Sequence, residues 1–305
     1  MIRFLLLLLA LLGPATAYAQ KQQQAPPQPE KPALWVVQDG KSTAYLFGTV
    51  HTLPRGVDWF RPHVTRALDS SKRLVLETEV PDGPGSVLPV LLRLTRLQQE
   101  RPLADRVPES WRPALNSAVQ RLKPGPMDWY KTWYVALTLT NLQALEDGMD
   151  PRIGVEAVLS ERARMRSIPI TPLETVEQQL IFFDSLSEAD QQQLLLSSIE
   201  DLANSKAETT LLIGDWMQGN TDALANRVNS NFERSPMLRR LLVEDRNQRW
   251  ADWLVKQMKA EDGPTFVAVG AGHLAGKGSL IDELEKRGLK VKRVMPEPPA
   301  KKRRR

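Results

Sequence analysis

The sequence predicts an α+β protein, a single domain whose mixed β-sheet is built from the N-terminal and C-terminal segments around a large helical middle insertion. Three observations carry this. Apolar runs of strand length cluster at the two ends of the chain, at 34–37, 43–47 and 73–76 and again at 266–269 and 290–294. Between them apolar residues return at three- and four-residue intervals, the period of a helix face. Neither end holds enough strands to make a sheet alone, so both must contribute to one.

Met1-Ile2-Arg3, the apolar run 4–12 and Ala17-Tyr18-Ala19 have the basic start, apolar core and small-residue cleavage site of a secretory signal peptide, so 1–19 is expected to be removed and the mature chain to begin at Gln20. That places the protein in the periplasm or outside the cell. The run is too short to span a bilayer, and no later segment is long and apolar enough to do so. With no cysteine in the chain, a lipoprotein anchor is excluded and stability must come from packing, which 305 residues suffice to supply.

Residues 20–33 are rich in Gln and Pro and read as a flexible tether, with the folded domain at 34–295. Asp39-Gly40 between two β-rich runs predicts a tight hairpin turn. Helical patterns follow over 109–122, 128–145 and 154–165. Another at 187–203 opens with a capping-box-like serine, and a long amphipathic one at 238–259 carries Trp250 and Trp253 on its buried side. Trp129, Trp133 and Trp216 are expected to be core anchors and His63 a surface residue at a helix start. A last helix at 279–287 stops at Gly288.

The pI of about 9.4 suggests an acidic partner until its origin is traced. Lys301, Lys302, Arg303, Arg304 and Arg305, together with Arg3, carry six positive charges against a formal net charge of +5, so the remainder is close to neutral. The 296–305 tail reads as a solvated basic segment. No aromatic and basic residues interleave in the manner that reads nucleic acid, so nucleic acid is not expected as a partner.

Two of the three histidines close the same kind of tetrad, Gly48-Thr49-Val50-His51 and Gly270-Ala271-Gly272-His273, each after an apolar strand. Glu77 follows a third strand, Arg73-Leu74-Val75-Leu76. Ligands in open sheets gather beyond the carboxyl ends of strands. Two imidazoles and a carboxylate there suit Zn, Mn, Fe or Co and leave a position open for water; the competing reading is a pair of rim histidines held only by hydrogen bonds. The glycines at 270–278 do not make a phosphate loop. Ala271 and Gly278 break the Walker spacing, and no acidic residue follows at 292–294 for a dinucleotide ribose. Small residues there let the backbone fold tightly around His273.

These residues resemble the TraB/GumN family, in the branch that holds bacterial proteins and the animal Tiki proteases. The resemblance rests on Leu34-Trp35, on Tyr45-Leu46-Phe47 running into the first tetrad, on Leu74-Val75-Leu76-Glu77, on Leu173-Glu174-Thr175-Val176-Glu177-Gln178-Gln179-Leu180, on Arg246-Asn247 with Trp250, and on the run from Phe266 to Gly278. It implies a fold similar to the erythromycin esterase and ChaN proteins, and a divalent metal ion, Mn, Co or Zn, held by His51, Glu77 and His273. Glu77, Glu174 and Arg246 would serve the chemistry, although Glu174 and Arg246 would equally make a structural ion pair. Where the family has Gly-x-Asp, this chain has Gly154-Val155-Glu156. The function implied is a metal-dependent hydrolase acting on a peptide or protein. The alternative is a non-catalytic envelope protein that binds haem, metal or a polysaccharide-assembly partner.

Overall fold

The structure, a computed structural model, describes residues 29–78, 84–232 and 236–296. The expected signal peptide, most of the tether and all but the first residue of the basic tail lie outside the described residues. Strands β1 (Leu34–Asp39) and β2 (Ser42–Thr49) form the hairpin. Asp39 pairs with Ser42, which leaves Gly40 and Lys41 as a two-residue loop; Gly40 takes φ +58°, a left-handed backbone that suits glycine.

Four further strands complete the sheet: β3 (Leu74–Thr78), β4 (Ile170–Glu174), β5 (Gly263–Gly270) and β6 (Val291–Arg293), in the order β4-β3-β5-β2-β1-β6. Neighbours β4, β3, β5 and β2 are parallel, and β1 runs antiparallel to both β2 and β6. The carboxyl ends of β2, β3, β4 and β5 therefore all open on one side of the molecule. That single fact gathers the candidate site residues.

Helix α1 (Pro62–Asp69) joins β2 to β3. Between β3 and β4 run α2 (Pro84–Thr95), α3 (Arg112–Leu122), α4 (Thr132–Glu146) and α5 (Val155–Met165). Between β4 and β5 run α6 (Val176–Asp184), α7 (Glu188–Asp201), α8 (Ser205–Gln218), α9 (Thr221–Phe232), α10 (Pro236–Arg239) and α11 (Asp245–Ala260). Helix α12 (Leu280–Lys286) returns the chain from β5 to β6, with Ser279 accepting the Asp282 N–H as its N-cap and Gly288 at φ +84° just past its end.

Side-chain alternation splits the sheet between two cores. Phe47, Leu74, Leu76, Phe266 and Ala268 pack against α1, α5, α8 and α9, with Trp216 and Trp59 filling the layer. Leu46, Val75, Val267 and Val269 pack on the other face against Trp250, Ala251 and Leu254 of α11 and Leu280 and Leu284 of α12. A third cluster binds α3, α4 and α7 into the insertion through Leu115, Leu139 and Leu195. This is the expected single α+β domain, a mixed sheet from both ends of the chain with a helical insertion.

Four expectations are corrected. The middle is not wholly helical, because β4 lies within it as an edge strand. Trp129 is not a core anchor: α4 starts at Thr132 and not at 128, so Trp129 precedes the helix and stays 41% exposed. His63 is not a surface residue. It shares the buried face of α1 with Val64, Ala67 and Leu68, and its Nε2–H donates to the Pro32 carbonyl at 3.0 Å. The tether ends before 33, since Glu30 N–H bonds the Val294 carbonyl at 3.2 Å and Ala33 is buried. Trp133 and Trp216 are buried as expected.

Candidate functional site

Glu77 is the penultimate residue of β3, Glu174 the last of β4, and His51 and His273 follow β2 and β5 within a few residues. Parallel register brings them to one rim. A methyl group built on Gly270 would lie 3.0 Å from Glu77 Oε1, 3.6 Å from His273 Cδ2 and 3.8 Å from His51 Nε2, so all three side chains surround that glycine. The Gly270 N–H donates to Glu77 Oε1 at 2.5 Å. Glycine is needed here because any side chain would fill the space the three groups share.

Arg246, from the first turn of α11, organises the rest of the cluster. Its Nη2–H donates to Glu77 Oε2 at 2.7 Å, its Nε–H to Glu174 at 3.0 Å, and its Nη1–H to the Leu242 carbonyl at 3.0 Å. Nη1 also stands 3.2 Å from His273 Nε2. The guanidinium lies 4.5 Å from the Trp250 ring, whose indole N–H donates to Glu174 at 3.1 Å. Glu174 and Arg246 are thus an ion pair, and the pair extends to Glu77. Two buried carboxylates share one buried cation, with the half-exposed Arg249 3.5 Å from Glu174.

Each histidine is anchored at Nδ1. His273 Nδ1 is 2.7 Å from Asn247 Oδ1; a carbonyl oxygen only accepts, so the ring proton sits on Nδ1 and Nε2 presents its lone pair. Asn247 in turn donates to the Gly278 carbonyl at 2.7 Å. His51 Nδ1 is 2.6 Å from Glu156 Oε1, which also accepts from Thr49 Oγ1 at 2.5 Å. Glu156 stands in the first turn of α5, and Gly154 before it is obligatory, since a side chain there would collide with the His51 carbonyl. The Val155 N–H donates to the Val50 carbonyl at 3.1 Å, which docks the helix start on the tetrad. The two tetrads also touch: a side chain on Gly48 would press on Ala271 of the other tetrad, and the Gly48 carbonyl accepts the Trp216 indole N–H at 2.8 Å.

The electrostatics follow from these contacts. Burial alone would raise the Glu77 pKa, but His273, Arg246, His51 and the Gly270 N–H outweigh it and hold the carboxylate well down, at about 2. Burial lowers His273 to about 4, with Arg246 and His51 adding to the effect against Glu77. The Glu156 hydrogen bond raises His51 to about 9. The His51 side chain is 67% exposed, so solvent screening keeps that pair's contribution to stability small.

Sequence reasoning named His51, Glu77, Glu174, Arg246 and His273, and all five meet here. It assigned no role to Glu156 or Asn247 and did not single out Thr49, the residues that fix the two rings. The donor set, two imidazoles with anchored Nδ1 atoms and Nε2 edges turned toward one ionised carboxylate, suits a divalent ion once His51, which Glu156 keeps protonated near neutral pH, gives up its Nε2 proton. Among the described residues, however, no three His, Asp or Glu side chains stand at metal-cage spacing. Arg246 engages Glu77 Oε2 and His273 Nε2 between them. Among the described residues no helix is long and apolar enough to cross a membrane.

Comparison with known proteins places the sequence in a family. The model of the TraB/PrgY/gumN family matches residues 33–293. An uncharacterized protein of Shigella flexneri, YbaP, is 25% identical over 258 residues, 82% of this chain and 90% of its own length; its Escherichia coli counterpart matches to the same extent. An uncharacterized protein of Treponema pallidum is 24% identical over 277 residues, 84% of this chain and 81% of its own length. No solved structure matches the chain significantly.

Proposed function

The chain belongs to the TraB/PrgY/gumN family, and on that premise we propose that it is a metal-dependent hydrolase, peptidase-like in its chemistry, that works in the periplasm or outside the cell. The observation that carries the reading is the convergence of His51, Glu77 and His273 on Gly270, with both rings anchored through Nδ1. His51, Glu77 and His273 would hold the ion, Mn, Co or Zn. Bound there, it would supply Lewis acidity toward a carbonyl oxygen and make a water ligand more acidic.

The chain's own residues would do the rest. Glu156 and Asn247 orient the two rings. Glu174 and Trp250 hold Arg246 beside the ligands, where a guanidinium stabilises negative charge that develops on a substrate oxygen. For His273 Nε2 to act as a ligand, its 3.2 Å contact with Arg246 must open while Glu77 and Glu174 keep the guanidinium in place.

Metal analysis and an absorption spectrum of untagged protein test the reading, together with His51→Ala, His273→Ala and Glu77→Gln. Each variant should lose bound metal and turnover on a peptide library, with the circular dichroism of the parent. Unchanged metal content in both histidine variants rejects ligation. The saturation of Arg246 by two carboxylates and a carbonyl also suits a second reading, a non-catalytic envelope protein that binds haem, metal or a polysaccharide-assembly partner. A haem band, or metal-loaded protein inert toward every peptide, favours that one.

A further inference from the structure

We propose that the outer edge of β4 binds an extended polypeptide, which joins the sheet as a seventh strand and runs along β4 to Glu174. β3 is the strand that pairs with β4, and β4 closes the sheet on that side. The Leu74 N–H donates to the Pro169 carbonyl at 2.9 Å while Leu74 stands in register with Ile170. In a parallel ladder this turns the backbone of 169, 171 and 173 toward β3 and that of Ile170, Pro172 and Glu174 outward. Those outward groups have no hydrogen-bond partner in the described structure. The edge thus offers the N–H of Ile170 and the carbonyls of Ile170 and Pro172 in strand register, and ends at the buried Glu174.

What such a row recognises is another extended backbone. Pro172, exposed in mid-strand, withholds one donor; proline is how a sheet edge is kept from pairing without limit. The edge is also continuous with the candidate site. Glu174 ends β4 with its carboxylate on Arg246 and Trp250, and Arg249, 53% exposed on its side chain, stands beside it. A guest strand advancing about 3.3 Å per residue along β4 arrives at the Glu77–Arg246 cluster. That the guest is then hydrolysed rests on the peptidase reading above; that it binds does not.

The probe is a pool of random decapeptides carrying an N-terminal fluorescein, added to the full chain and read within seconds by anisotropy and by amide hydrogen exchange, with turnover followed in parallel. Exchange at Ile170 should slow by about tenfold or more, while Thr171, already bonded to β3, should not change. Pro172→Ala restores an outward N–H and should bind the pool about fivefold more tightly; Ile170→Pro removes one and should bind about fivefold more weakly. No protection at Ile170, equal affinity of both variants and parent, or a β4-mediated dimer without peptide by sedimentation would each overturn the proposal. Turnover without protection discards the edge and keeps the hydrolase. Protection without turnover does the reverse.

Discussion

At Asn247 a single amide decides which nitrogen of His273 faces Glu77. Fully buried, it accepts from Nδ1 and donates to the Gly278 carbonyl. Asn247→Ala should weaken metal binding by about 10- to 100-fold, the usual range for a partner that orients a ligand. Asn247→Asp keeps the acceptor but turns a carboxylate oxygen on the Gly278 carbonyl in place of the donor, so calorimetry should show metal affinity retained while thermal melting shows a stability loss of about 1–3 kcal/mol. A role confined to packing would affect both variants alike and leave affinity unmoved. The contrast with the histidines explains what the sequence revealed. His51, Glu77 and His273 each end an apolar run, so a strand and its rim residue are visible together. Asn247 and Glu156 sit on helices remote in sequence from the rings they hold, and only the fold brings them there.

Among the elements, the helix that carries Arg246 repays attention to its winding. The amphipathic pattern over 238–259 predicts one continuous helix, but a π-helical turn, Arg240–Glu244, separates α10 from α11. Such a turn adds one residue to the helical register. It places the Leu242 carbonyl on Arg246 Nη1 and, one turn on, aims Arg246 and Asn247 at the rim. Deleting Val243 should restore ordinary α winding and rotate everything before Arg246 by roughly a quarter of a turn. Far-UV circular dichroism should then show unchanged helix content, with metal content and turnover lost; retention of both would refute a role for the π turn. Periodicity could not reveal this feature, because one extra residue barely disturbs an apolar stripe. Nor did it reveal β4, where Pro172 within Ile170-Thr171-Pro172-Leu173-Glu174 argues against a strand unless that strand lies at an edge. The hairpin and β5 were legible because each is an unbroken β-rich run, and α12 because serine and glycine mark its two ends.

For the molecule as a whole, His63 links stability to pH. It lies in the interior, where burial lowers its pKa below the ordinary 6.5, Arg66 and Arg293 add to the shift, and the Pro32 carbonyl and Glu30 oppose it. The neutral ring is the one the fold accepts. A group whose folded pKa is depressed contributes stability that is present above its unfolded pKa and is lost as pH falls through the folded one. Urea midpoints should therefore drop as the pH is lowered below about 6.5, and His63→Gln, whose amide still donates to Pro32, should lessen the drop. Identical pH profiles for parent and variant would remove His63 as a contributor. Arg61-Pro62-His63-Val64 looks like surface because its neighbours are polar; the clue lay in Val64, Ala67 and Leu68, which complete an apolar face one turn on.

The hydrogen bond between Glu30 and Val294 has a topological meaning as well. It makes the beginning and the end of the domain neighbours on the β6 side, at the sheet edge opposite β4 and the candidate substrate path. The order of the chain is then a convention that covalent joining can rewrite. A circular permutant that links 296 to 29 and opens at the exposed Gly125, in the loop between α3 and α4, should fold with the near-UV spectrum of the parent. If it fails to fold, the covalent link between α3 and α4 is needed for the helical insertion to assemble.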